Sequence, residues 1–329
     1  MKRIQNSLRS IATATAVVAG MTATALLGAS PAHAYKVDDS LELKVKLYAD
    51  WTLSADNDAD AGFHNTRQYF EARKHLDNGD LIRLTLDTKA IEDSTTLKYA
   101  YWQHKLNSNN KIKVGLHHTP LVDYYQNEIW GHRFVNKEFT DEWKAQTSSD
   151  AGVSLIGKAA EGMVNYHLTV SNGEGYGHAA DGNGYAVSGR VEVAANGVKV
   201  GAFGYSETEH GAVNGPDRER YLGYLAWEND TVRVAGEYLT ADDSDGSTFK
   251  DGTGYSLNAN VKLPAGNKAQ AFARYDSIDK TDNGTDETLT IAGVSFEAAK
   301  GVTLAPTFKS KDNGTTTEDT VAVYGQFKF

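Results

Sequence analysis

Between His118 and Ser149 the chain gathers Asp123, Glu128, His132, Arg133, Lys137, Glu138, Asp141, Glu142 and Lys144, interleaved with Tyr124, Tyr125, Trp130 and Trp143. Charges of both signs on one aromatic-rich segment can filter solutes electrostatically, provided the segment is held where solutes must pass. A connection of this length without regular periodicity is either functional or unstructured, and its aromatics allow it to pack. A second set of charges lies outside it: Arg67, Glu71 and Arg73, then Arg83 and Lys89, Lys111 and Lys113, Arg190, Arg233 and Arg274. These could line a cationic track, which Glu42, Asp87, Glu192, Glu237 and Asp276 would dilute.

Other patterns carry less chemistry. The stretch from Gly152 to Lys158 approaches a phosphate-binding loop, but Ala159 stands where a magnesium-binding hydroxyl is needed, so a strand entering a turn explains it better. Asp56, Asp58 and Asp60 open like a calcium loop, yet Ala61 and Arg67 occupy its glycine and glutamate positions. His117 and His118 lack a third ligand at a fixed spacing. No nucleophile elbow, helical zinc motif or cysteine nucleophile is present, so the sequence predicts neither an enzyme nor a cofactor.

The elements that must position these charges are strands. Leu41, Leu43, Val45, Leu47, Ala49, Trp51 and Leu53 alternate with Glu42, Lys44, Lys46, Tyr48, Asp50 and Thr52. The pattern returns in Tyr185, Val187, Gly189, Val191 and Val193, and in Tyr255, Leu257, Ala259, Val261 and Leu263. Period two gives each strand one apolar and one polar face. In a membrane barrel the apolar face meets lipid and the polar face lines a wet lumen. Seven tight turns, such as Asp77-Asn78-Gly79-Asp80 and Ala195-Asn196-Gly197, alternate with eight longer polar connections, and together these join sixteen strands. Segments 95–106, 198–206 and 219–228 are ambiguous by face, which leaves fourteen or eighteen strands as alternatives.

The expectation is therefore an all-β, transmembrane, antiparallel up-and-down barrel, most simply of sixteen strands. His118 to Ser149 is its third external loop, folded into the lumen or, alternatively, forming an outer cap or partner-binding surface. The constriction and lumen candidates are Arg67, Arg73, Arg83, Lys113, Asp123, Glu128, Arg133, Lys137, Glu138, Asp141, Arg190, Arg233 and Arg274. Acids throughout the long loop predict weak cation preference or little selectivity. An outer-membrane enzyme and an adhesive or structural barrel are the competing classes.

The ends agree with export. Lys2, Arg3 and Arg9 precede an apolar stretch from Ile11 to Gly28, and Ala32-His33-Ala34 reads as a cleavage site, so residues 1–34 form a signal peptide and 35–329 the barrel. Without Lys2, Arg3 and Arg9, 30 of the 33 basic residues remain against 43 acidic ones, a net charge of −13. Such a chain lacks the basic stripe that nucleic acid requires. Cysteine is absent, so an exported fold must be stabilised without disulfides, as a barrel with no free strand edge can be. The last strand places Val321, Val323, Gly325, Phe327 and Phe329 on one face. A terminal aromatic there resembles the C-terminal strand of bacterial outer-membrane proteins, implying recognition of Phe329 by the barrel assembly machinery.

Lys113-Val114-Gly115-Leu116-His117-His118-Thr119-Pro120-Leu121, leading into the long loop, resembles the corresponding segment of the phosphate-selective porin O and P family. Tyr69 to Asp80, Leu97 to Tyr101, Ser149 to Leu155 and Asn172-Gly173-Glu174-Gly175 support the likeness, which is clearest over residues 65–177. The resemblance implies a trimeric sixteen-stranded porin in outer-membrane lipid and lipopolysaccharide, constricted by its third loop. It also implies phosphate selectivity from basic lumen residues. The acidic balance departs from that selectivity, and the basic site does not map residue by residue.

Overall fold

The computed structural model describes residues 35–36, 38–55, 61–89, 95–178, 184–210, 215–264, 268–281 and 284–329. The expected signal peptide and the Asp56–Asp60 loop therefore lie outside the described residues. A two-residue strand, β1 (Tyr35–Lys36), pairs with β2. Sixteen strands follow: β2 (Leu41–Ala55), β3 (Gly62–His75), β4 (Leu81–Lys89), β5 (Thr95–Lys105), β6 (Asn110–His118), β7 (Ser149–Ala159), β8 (Val164–Ser171) and β9 (Ala186–Ala195) form the first half. The second half is β10 (Val198–Glu207), β11 (Arg218–Glu228), β12 (Val232–Asp243), β13 (Gly252–Lys262), β14 (Gln270–Asp279), β15 (Glu287–Ala299), β16 (Val302–Asp312) and β17 (Thr317–Lys328).

Each of these strands pairs antiparallel with the next, and β17 pairs with β2, closing a sixteen-stranded barrel. Closure satisfies every strand's ladder and leaves no edge. The turns at one rim are short because their residues accept left-handed backbone. Asn196 (φ 50°) and Gly197 (φ 79°) fill both central positions of the β9–β10 hairpin, as its twist demands. All three segments of ambiguous face are strands, which decides the count.

Alternation sets the faces as the sequence predicts. Val187, Val191, Val193, Val200, Leu225 and Leu257 are exposed on the outer wall. Ser188, Arg190 and Glu192, between the valines, are buried on the inner one. The expectation of a uniformly polar inner wall needs correction, however. From β10 to β17 the inner face also buries Phe203, Leu222, Tyr224, Ala226, Leu239, Phe272, Ile278, Leu289 and Ile291. Their partners are Leu121, Tyr125, Ile129, Trp130, Phe134, Phe139 and Trp143 of the long connection, in one apolar cluster. Half of the inner wall is thus a seat for the connection, and removing this surface from water is what holds it there.

Candidate functional site

The connection between β6 and β7 contains two short helices, α1 (Val122–Tyr125) and α2 (Phe139–Glu142), with a π-helical turn over Gln126–Trp130 directly after α1. Glu138 caps α2, accepting hydrogen bonds from the backbone N–H of Thr140 (2.9 Å) and Asp141 (2.7 Å) and from the Thr140 hydroxyl (2.7 Å).

Four inner-wall arginines grip the connection by its backbone. Arg190 donates to Pro120 O (3.0 Å), Arg233 to Glu128 O (2.9 Å), Arg274 to Lys137 O (2.5 Å) and Arg220 to Ala145 O (3.2 Å). Side chains add Trp143 Nε1 to Asp276 Oδ2 (3.1 Å), Lys311 Nζ to Glu142 Oε1 (2.7 Å) and His132 Nε2 to Ser295 Oγ (3.0 Å). The connection therefore reaches from β6 and β7 across to β11–β16, lying on the inner face opposite the exposed apolar belt.

The inner wall left uncovered, chiefly β2–β8, is charged. A cavity of about 390 Å³ is bounded by Lys44, Lys46, Arg73, Arg83, Lys98, Arg133 and Lys328 against the side-chain carboxylates of Glu71 and Asp123 and the last residue, Phe329. Towards the long-loop rim, a cavity of about 480 Å³ meets Arg67, Arg133, Lys137 and Lys309 with Asp50 and Glu142. Tyr48 and Arg133 line both, so the two adjoin at these residues. A third, also about 480 Å³, shares Arg67 and Lys137 with the second and adds Lys89, Lys144, Arg218 and Arg220 against Asp141 and Glu174. The chain is acidic, yet each of these spaces is basic on balance.

The candidates divide by position. Arg67 is tied to Asp87 through two bonds, Nε to Oδ1 (2.8 Å) and Nη2 to Oδ2 (2.7 Å), while still facing the cavities. Arg73 and Arg83 share Glu71, and Arg83 also lies 4.5 Å from the Tyr99 ring centroid. Lys113 is buried against His118 (3.1 Å) and the Tyr101 ring. In the connection, Asp123 accepts from Tyr99 OH (3.2 Å) and Gln126 Nε2 (2.8 Å). Asp141 lies 2.8 Å from Lys137 and 4.0 Å from Arg133. Glu128 is exposed at the tip. Glu138 is fully buried, and Arg190 and Arg274 are buried at the anchors, so these three touch the connection rather than open space.

Burial works to raise the Asp141 carboxyl, but Lys137 and Arg133 outweigh it and hold the group below its usual range. Glu142 behaves likewise beside Lys311 and Arg274. Burial pushes His132 down to about 4, leaving a neutral imidazole on Ser295. It also pushes Glu138 up to about 7, offsetting the hydrogen bonds that favour its charged form.

Lys46, Lys98, Lys309 and Lys328 were not among the sequence candidates. The polar phase of β2, with Lys44, Lys46, Tyr48 and Asp50 in step, contained the signal for the first. Arg220 was hidden in a strand of ambiguous face. Ser154 Oγ meets His167 Nε2 at 3.0 Å and His117 at 3.3 Å, a serine–histidine contact the sequence did not suggest. Ser154 is fully buried, so the contact fastens β7 to β6 and β8.

No family model and no curated sequence matches the chain. Solved structures match its fold. OmpF of Salmonella typhi, in complex with daunomycin, superposes with a TM-score of 0.68 at 14% identity, covering 90% of this chain and 100% of that one. An anion-selective porin from Comamonas acidovorans gives 0.65 at 14% identity, covering 88% and 99%. OmpT, an outer-membrane protein of Vibrio cholerae, gives 0.63 at 13% identity, covering 90% and 100%. At these identities the likeness concerns the fold.

Proposed function

We propose that this chain is a bacterial outer-membrane porin, a water-filled channel for passive diffusion of small hydrophilic solutes, with a preference for anions. The observation that carries the reading is the run of adjoining basic cavities between the connection and the barrel wall, chiefly β2–β8 with β11, β16 and β17 contributing. A packed protein would have no reason to keep so many cations around open space, whereas a channel uses them to concentrate anions. The outer apolar belt supports a place in lipid, and the porin-like neighbours support the outer membrane.

In this reading the connection is the constriction, and Tyr48 and Arg133 stand where the first two cavities meet. Arg67, Arg73, Arg83 and Lys137 face the permeating ion, while Lys113 and Asp123 shape the wall beside it. Arg190, Arg233, Arg274 and Glu138 hold the constriction in place. The balance near the passage favours anions, inorganic phosphate among them, over the cation preference that the acidic loop suggested. Assembly as a homotrimer, contact with lipid and lipopolysaccharide, and delivery through Phe329 to the assembly machinery belong to the same proposal, as does export by a cleaved residue 1–34 signal. No catalytic role is assigned.

Purified protein in a planar bilayer tests it. Stepwise conductance is expected, with a reversal potential of anion sign under a potassium chloride gradient. Absence of conductance would overturn the channel, and a reversal potential of cation sign would overturn the preference alone.

A further inference from the structure

The connection between β8 and β9 also turns inward. Its first residues, Asn172-Gly173-Glu174-Gly175-Tyr176-Gly177, alternate glycine with larger residues, and Gly175 (φ 79°) and Gly177 (φ 89°) adopt the left-handed backbone that folds the segment back over the rim. It lies close to its neighbours: a Cβ on Gly175 would sit 2.9 Å from Thr147 Oγ1, and one on Gly177 3.1 Å from Thr96 Cγ2. Backbone bonds fasten it to β7, from Asn172 N to Ala151 O (3.0 Å) and from Tyr176 N to Ser149 O (3.1 Å), and Gly173 N donates to Asp150 Oδ2 (2.6 Å).

This path brings Tyr176 to strands far from its own. Its hydroxyl accepts from Arg67 Nη2 of β3 (2.6 Å) and donates to Asp87 Oδ2 of β4 (3.1 Å). The centre of its ring is 4.8 Å from the Lys98 ammonium of β5, which also donates to Ser148 Oγ at the end of the long connection (2.8 Å). The ring is thus held at its edge by hydrogen bonds and at its face by a cation.

Lys98 borders the first cavity and not the third, whereas Tyr176 borders the third and not the first. Those two cavities share no lining residue. Each adjoins the second instead, the first through Tyr48 and Arg133 and the third through Arg67 and Lys137.

We propose that Tyr176 sets the route of permeation: its ring closes the direct way from the third cavity to the first along β3–β5, and so makes the path past Lys137 and Arg133 obligatory. The inference rests on the channel reading and adds to it a determinant outside the long connection.

The test compares single-channel conductance and reversal potential in potassium chloride for the parent, Tyr176→Phe and Tyr176→Ala, each with and without Arg133→Glu. Phenylalanine keeps the ring, so Tyr176→Phe should conduct as the parent does. Alanine opens a second route in parallel, and conductance should rise up to about twofold, because two comparable paths carry at most twice the current of one. The shift of reversal potential caused by Arg133→Glu should be equal in the parent and Tyr176→Phe, and should shrink by about half in Tyr176→Ala, where ions bypass Arg133. Both substitutions remove the two hydroxyl bonds, so mere loosening of the segment would affect them alike. Should Tyr176→Ala fail to conduct, Tyr176→Val removes the ring with less loss of volume and decides by the same comparison. Conductance and an Arg133→Glu shift that are the same with and without the ring, or that change as much in Tyr176→Phe, would overturn the partition and leave the channel intact. Arg133→Glu without effect in the parent would overturn it as well, since the obligatory path passes that residue. A parent protein without chloride conductance would instead overturn the channel reading.

Discussion

Trp143 Nε1 donates to Asp276 Oδ2 at 3.1 Å, joining residues 133 apart in sequence and tying α2 to the inner face of β14. The same carboxylate binds Arg274, which in turn holds Lys137 O, so one buried acid organises the far anchor of the connection. Trp143→Phe removes only the indole bond and should leave the barrel folded, with a loosened connection that shows as larger current fluctuations. Asp276→Ala leaves Arg274 buried without its charge partner, which should cost about 3–5 kcal/mol. Urea unfolding of the two variants should rank them in that order.

Arg133 borders both main cavities, and its nearest carboxylate, Asp141, is at 4.0 Å and shared with Lys137. Its charge therefore faces open space. Arg133→Glu should move the reversal potential towards the cation sign, and Arg133→Ala should raise conductance by opening the junction beside Tyr48. An Arg133→Glu channel with unchanged selectivity would place the selective step elsewhere.

Glu138 makes the seat of the connection sensitive to pH. Its carboxyl is pushed up to about 7 by burial, from an ordinary 4.5. The folded state thus binds the proton more tightly than the unfolded one, and the associated stability is full below pH 4.5. It declines as pH rises through about 7. Current fluctuations from the connection should therefore grow between pH 5 and 8, the interval about that titration. Glu138→Gln should flatten the dependence, because the amide does not ionise while its single oxygen can still accept the bonds from Thr140 Oγ1 and Asp141 N. A pH response unchanged in this variant would assign it to another group.

Gly115 sits at φ 115°, and a Cβ there would lie 2.4 Å from Ala100 O and 3.1 Å from Tyr101 Cα. Backbone strain and the clash act together on the β5–β6 pairing that leads into the connection. Gly115→Ala should destabilise the barrel by about 1–3 kcal/mol. Thermal unfolding followed by circular dichroism measures it.

The ambiguity of the sequence around residues 198–206 and 219–228 has a structural cause. Phe203, Leu222, Tyr224 and Ala226 face inward and are apolar because the connection packs on them. Both faces of these strands therefore look alike to a period-two reading, which assumes a wet lumen throughout. Where the wall stays open, as along Lys44, Lys46 and Asp50 of β2, the alternation was plain.

By itself the sequence determined the strands, the faces of most of them, the alternation of short and long connections and the charged segment between β6 and β7. These are local properties, written in side-chain periodicity and turn chemistry within a few residues. Only the tertiary structure decided which charges remain free. Arg67 finds Asp87 through the β3–β4 register, and Lys311 finds Glu142 from 169 residues away. Arg190, Arg220, Arg233 and Arg274 bind carbonyls of the connection, while Lys46 and Arg133 stay beside open space. Coulomb interactions depend on separation and burial, and strand register and the path of the connection set both. The chain's net charge, which counts every residue alike, therefore misreported the character of its interior.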